Sequence, residues 1–182
     1  QKHGNETSIY VTGNQQLKAN NIDVPSDLSS SAFFIVAALI NKGSKIVLNN
    51  ININPTRDGV IKALKKMGGK INIKNKKNLS GEIVADLEVT YSDLYGCELD
   101  SQMAKLMIDE YPILSIAAAF ANGPSIFRGL GELKVKESDR LELIRLNLVN
   151  CGSNRSLTVP TGPFLCLQVM SSAIPRSVVS GS

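Results

Sequence analysis

The sequence predicts an α/β fold in which one helix–strand unit occurs twice. Two observations carry that expectation. Short β-rich stretches alternate with helical patterns, which favours strands layered against helices. A single offset also carries Ala37-Ala38 onto Ala117-Ala118, Gly43 onto Gly123 and Ile46 onto Ile126. A slightly longer one carries Met67-Gly68 onto Cys151-Gly152. Each unit reads as buried helix, glycine stop, strand, bend, amphipathic helix, strand. The period is longer than that of the common solenoids.

The elements follow in order. Residues 7–12 (TSIYVT) are β-rich and precede a Gly13-Asn14 turn signal, and residues 16–24 read as a further strand region ended by Pro25. Ser26-Asp27 offers an N-cap for residues 28–41, a helix apolar nearly all round and therefore expected to be buried. Gly43 ends it, and residues 45–49 form a strand. Asn54-Pro55-Thr56 starts a second helix with Val60, Ile61, Leu64 and Met67 on one face; Gly68-Gly69 stops it. Residues 70–73 and 83–90 are strands around a polar turn. Residues 113–121 are a second apolar helix, stopped by Asn122-Gly123. Residues 125–128 are a strand, and residues 141–149 a third amphipathic helix after a glycine-rich bend.

Composition narrows the function classes. The chain has 182 residues, 43% hydrophobic and 20% charged, which excludes wholesale disorder and suits one domain or one plus a piece. The apolar helical run, residues 28–41, falls short of the ~20 residues that span a bilayer. No secretory signal pattern is visible, and the first residue is Gln1 rather than Met, so an excerpt of a longer chain is expected. Lys plus Arg exceed Asp plus Glu by 20 to 16, but the lysines at 62–77 lack interleaved aromatics and read as a solvated helix face and turn rather than a nucleic-acid surface. Cys97, Cys151 and Cys166 are odd in number and widely spaced, which points to free thiols and against a disulfide framework or zinc site. The single histidine, His3, leaves acid–base chemistry to carboxylates, lysines or tyrosines.

Three segments could carry chemistry. Residues 132–140 (ELKVKESDR) put two lysines, an arginine and three carboxylates between a glycine-rich bend and a helix start. Residues 107–112 (MIDEYP) place an Asp-Glu pair and a proline ahead of the second apolar helix. Residues 25–31 (PSDLSSS) set three serines at the start of the first, where free amides attract anions. On composition alone, each is also what a capped helix start requires.

Taken in order, VPSDLSSSAFFIVAAL, NPTRDG, MIDEYPILSIAAAFANG and ELKVKESDRLE closely resemble the 5-enolpyruvylshikimate-3-phosphate synthase family (3-phosphoshikimate 1-carboxyvinyltransferases) from about Thr7 to about Asn154. The resemblance implies repeated βαβαββ units of the enolpyruvyl transferase fold, an α/β (α+β) architecture, incomplete in this chain. It implies that residues 1–24 are the closing strands of a first lobe and 25–154 about two of three units of a second. Residues 155–182 would be a divergent tail, since no Asp-His-Arg motif follows. The implied reaction transfers an enolpyruvyl group from phosphoenolpyruvate to the 5-hydroxyl of shikimate 3-phosphate and releases phosphate. It takes place in the cytoplasm, within aromatic amino acid biosynthesis. It uses no metal or organic cofactor, no nucleic acid and no membrane, and full-length relatives are expected to be monomers.

Residue by residue, the resemblance matches Asp109 to the acidic group on the shikimate hydroxyl and Lys136 to a shikimate 3-phosphate ligand. Glu137 matches the carboxylate exchanging a proton with the phosphoenolpyruvate methylene, and Arg140 the arginine gripping phosphoenolpyruvate. Glu132 stands where some members have a substrate-contacting Asn. The family's N-terminal Lys-Ser and serine-glutamine motifs are absent, so the chain reads as a fragment with negligible activity by itself. Alternatives are the UDP-N-acetylglucosamine enolpyruvyl transferase of the same fold, and a non-catalytic binding or scaffold module.

Overall fold

The computed structural model describes residues 9–134 and 138–151, with the backbone of three short strands at Lys2–His3, Glu6–Thr7 and Cys166–Val169. The first two, β1 (Lys2–His3) and β2 (Glu6–Thr7), pair antiparallel. The strands expected over 7–12 and 16–24 do not form: from residue 9 to 25 the chain makes no ladder. Its apolar side chains lie in solvent, Ile9 at 87% and Leu17 at 92% exposure. β-branched composition alone does not make a strand, because a neighbouring strand must complete the hydrogen bonds.

Helix α1 (Leu28–Ile40) begins at the expected cap: Asp27 accepts from the Ser30 amide at 2.8 Å. Its core face is Leu28, Ala32, Ile35, Val36 and Leu39, the i, i+4, i+7, i+8, i+11 stripe of a one-sided helix. Phe33 and Phe34 stay exposed, at 60% and 63%, so the helix is not buried all round as its composition suggested. Strand β3 (Lys45–Asn52) outruns its expected end at 49 by a register shift between Leu48 and Ile51, with Asn50 at φ +52°. Helix α2 (Gly59–Lys66) starts later than Asn54-Pro55-Thr56. There the Asn54 side chain folds onto Thr56, accepting from its amide at 3.0 Å in a local turn.

Strands β4 (Lys70–Leu79) and β5 (Glu82–Thr90) form a hairpin whose turn residues Ser80 and Gly81 both have positive φ, 51° and 91°. The lysines at 74, 76 and 77 lie in β4, not in a turn. β4 is an edge strand of the three-stranded order β3-β5-β4, and charged edges deter further pairing. Lys74 pairs with Glu88 at 3.1 Å.

The second unit adds two elements not anticipated, β6 (Glu98–Leu99) and α3 (Ser101–Leu106), the latter capped by Asp100. A single 3₁₀ turn, Ile108–Glu110, then leads into α4 (Tyr111–Ala119), with Pro112 in its first turn. Strand β7 (Ser125–Arg128) lies as expected. The glycine-rich bend includes a short helix, α5 (Gly131–Lys134), before α6 (Arg140–Asn150) and β8 (Cys166–Val169).

The repeat is visible in the pairing. β3 meets Ser26 in parallel and β5 antiparallel; β7 meets β6 in parallel and β8 antiparallel. Gly43 and Gly123, the glycines matched in sequence, sit at φ +83° and +85°. Both close their helices in a conformation that costs an L side chain energy. α1, α2, α4 and α6 gather over one core that includes Leu39, Leu64, Met67, Leu114 and Leu148, all under 4% exposed. The Tyr111 and Phe127 rings meet within it, centroids 5.6 Å apart. No helix among the described residues is long and apolar enough to cross a membrane.

Candidate active site

The site is built where the two units meet. Asp109 lies in the 3₁₀ turn, Arg140 is the first residue of α6, and the α1 N-terminus stands beside them. Pro112, tolerated in the first turn of a helix, marks the start of α4 directly after this turn. The Glu110 amide donates to the Met107 carbonyl at 3.1 Å and closes the 3₁₀ turn.

Two of the expected residues come together. The Arg140 Nη1 donates to the Asp109 Oδ1 at 3.2 Å, across 31 positions of sequence. The side chains are 31% and 52% exposed, so the pair is worth only about 0.2–1 kcal/mol. Arg140 is aimed by Asp139, the N-cap of α6, which accepts from the Glu142 amide at 3.1 Å, as its sequence position predicts. Glu132 lies exposed on α5. Lys136 and Glu137 lie outside the described residues.

Sequence reasoning missed the role of Glu110. It occupies the N-cap position of α4, yet its side chain does not cap that helix. The carboxylate turns inward, 5% exposed, and accepts a close hydrogen bond from the Ser29 hydroxyl. Ser29 in turn lies 3.4 Å from Arg57 Nη2. Arg57 thus adds positive charge beside the α1 N-terminus, whose dipole has the same sign. Hydrogen bonds from the Ser30 amide, aided by Arg57, hold the Asp27 carboxyl below the usual carboxylate range. The signal for this cluster was the NPTRDG segment, recognised for its resemblance but not for the charge of Arg57.

Burial pushes the Tyr111 phenol well above its ordinary pKa, which removes it from acid–base work near neutrality. No group of three or more metal-ligating side chains occurs among the described residues. Chemically, the cluster offers an exposed carboxylate to take a proton and a guanidinium for a carboxylate or phosphate, beside the positive end of α1.

The model of the family described as EPSP synthase (3-phosphoshikimate 1-carboxyvinyltransferase) matches residues 1–159 of this chain. The chain belongs to the EPSP synthase family. The match extends five residues past the end expected from the sequence motifs, near Asn154. The 3-phosphoshikimate 1-carboxyvinyltransferase of Mesorhizobium japonicum is 48% identical over 147 residues, covering 79% of this chain and 32% of the relative. That of Acaryochloris marina is 44% identical over 147 residues, covering 81% and 33%. The solved EPSP synthase from Acinetobacter baumannii superposes with a TM-score of 0.78 at 38% identity, covering 87% of this chain and 35% of that one. The chain thus spans about a third of the length of the EPSP synthases it matches. The enolpyruvyl transferase architecture expected from the motifs is the one these neighbours share with it.

Proposed function

We propose that this chain is a fragment of an enzyme that transfers the enolpyruvyl group of phosphoenolpyruvate to the 5-hydroxyl of shikimate 3-phosphate, with negligible activity by itself and the following roles for its residues in the whole enzyme. The single observation that carries the reading is the Asp109–Arg140 pair, held at 3.2 Å in a chain of the EPSP synthase family. Asp109 takes the hydroxyl proton as the oxygen attacks C2 of phosphoenolpyruvate. Arg140 holds the anionic phosphoenolpyruvate, and Lys136 the 3-phosphate of the acceptor. Glu137 delivers a proton to the methylene carbon and recovers one from the resulting methyl as phosphate leaves, so the enol ether re-forms. Residues 1–24 belong to a first lobe in this reading, 25–154 to about two units of a second, and 155–182 to a divergent tail. The pairing of β6, β7 and β8 supports the count of two units, and it draws residues 166–169 of the tail into the second sheet. The reading is cytoplasmic and needs no cofactor.

Titration of shikimate 3-phosphate, phosphoenolpyruvate and UDP-N-acetylglucosamine into the 182-residue chain, followed by ¹⁵N–¹H spectra, tests the proposal. Shikimate 3-phosphate shifts the Asp109 and Arg140 signals, and Asp109→Ala weakens its binding by about tenfold or more, the scale of a lost hydrogen bond to a charged group. Binding of UDP-N-acetylglucosamine alone, or of none of the three, overturns it.

A further inference from the structure

Glu110 is the unusual group at this site. A carboxylate 5% exposed carries a desolvation penalty unless it is well partnered. Its partner is the Ser29 hydroxyl in the first turn of α1, a helix of 13 residues whose positive end favours the charge. The Arg57 guanidinium stands 3.4 Å beyond, so charge and hydrogen bond act along one line from Arg57 through Ser29 to Glu110.

The neighbouring residue is Asp109. Successive side chains of a 3₁₀ turn point roughly 120° apart, so the one turn that sends Glu110 inward sends Asp109 outward. Asp109 is 52% exposed and meets Arg140. The turn spans only Ile108–Glu110, joined to α3 by the Met107 amide on the Ala104 carbonyl at 3.3 Å. Glu110 ties it by a side-chain hydrogen bond to α1.

We propose that Glu110 is a positioning residue: its bond to Ser29 pins the 3₁₀ turn to α1 and thereby sets the Asp109 carboxylate opposite Arg140. This rests on the role given to Asp109 above. The requirement is geometric, because a displacement of about 1 Å at a reacting group can cost about a hundredfold in rate.

The test uses the 182-residue chain as wild type, Glu110→Gln, Glu110→Ala and Ser29→Ala, with Leu64→Ala as a core substitution away from the turn. Two quantities are read: the Arg140 Nε–Hε resonance without ligand, and shikimate 3-phosphate affinity. Glu110→Ala and Ser29→Ala shift the Arg140 resonance away from its wild-type position and weaken binding by about tenfold. Glu110→Gln keeps the shape and an acceptor for Ser29, and restores affinity to within about threefold of wild type. Ser29→Ala leaves the buried Glu110 carboxylate without this partner, so the Ser29→Ala/Glu110→Ala double variant, which removes both groups, reports where either single variant does not fold. An unchanged resonance in Ser29→Ala, or an equal shift in folded Leu64→Ala, overturns the proposal. A wild-type chain that does not bind shikimate 3-phosphate overturns the functional reading instead, and the Arg140 resonance still decides the positioning role.

Discussion

Replacing Asp27 with alanine strikes the point from which α1 and its contacts to the site are built. Asp27 Oδ2 accepts from the Ser30 amide and from the Ser30 hydroxyl, both at 2.8 Å. Loss of a side-chain N-cap costs about 1 kcal/mol. Removing a negative charge from a helix N-terminus adds about 0.5 kcal/mol for an exposed group. The expected destabilisation at neutral pH is therefore about 1.5 kcal/mol, or about 3–6 °C in a domain of this size. Asp27→Asn keeps the accepting oxygen and loses only the charge, so it costs about 0.5 kcal/mol. The folded-state pKa of Asp27 is depressed from 3.8. The stabilisation is thus fully present above 3.8 and fades as pH falls through the lower folded value. Urea unfolding followed by circular dichroism, repeated across that range, measures all three effects. Equal losses in the alanine and asparagine variants, or an alanine penalty that persists unchanged well below pH 3.8, refute the capping account.

Three further outcomes follow from the fold. Leu64→Ala, at a fully buried position of α2, costs about 2–5 kcal/mol in the same urea assay; a loss below about 1 kcal/mol contradicts the packing described. Gly123→Ala and Gly43→Ala place an alanine at φ +85° and +83°, so each costs about 1–2 kcal/mol, and a wide difference between them breaks the equivalence of the two units. In a Cys166→Ser background, the exposed Cys151 is alkylated before Cys97, because burial raises the Cys97 thiol above its ordinary pKa; mass spectrometry with early labelling at Cys97 refutes this.

Local chemistry was the legible part of this chain. Asp27 and Asp139 cap the helices their positions indicate, because a cap depends only on the next three residues. Gly43 and Gly123 mark the repeat because a left-handed helix end admits few other residues. What depends on distant partners was not legible. Residues 16–24 have strand composition but no ladder, whereas lysine-rich residues 74–79 lie in a strand because β5 supplies one. Phe33 and Phe34 read as core, yet they lie on the open side of α1. The meeting of Asp109 with Arg140 came from a resemblance, since spacing says nothing about a contact 31 positions apart. Glu110 looked like a cap for the helix that follows it; its true partner is 81 positions away.

The second sheet carries a consequence for how the chain acquires its structure during synthesis. Every ladder of the first sheet is complete once Thr90 has emerged from the ribosome, with a two-residue turn joining its last two strands. β7 must wait for Cys166–Val169 before both its edges are paired. Until then Ser125–Arg128 presents one open edge to the nascent chain's surroundings, a template for pairing with a foreign strand. The strands of the first unit can therefore pair early, whereas the shared core and the half that carries Asp109 and Arg140 are completed last.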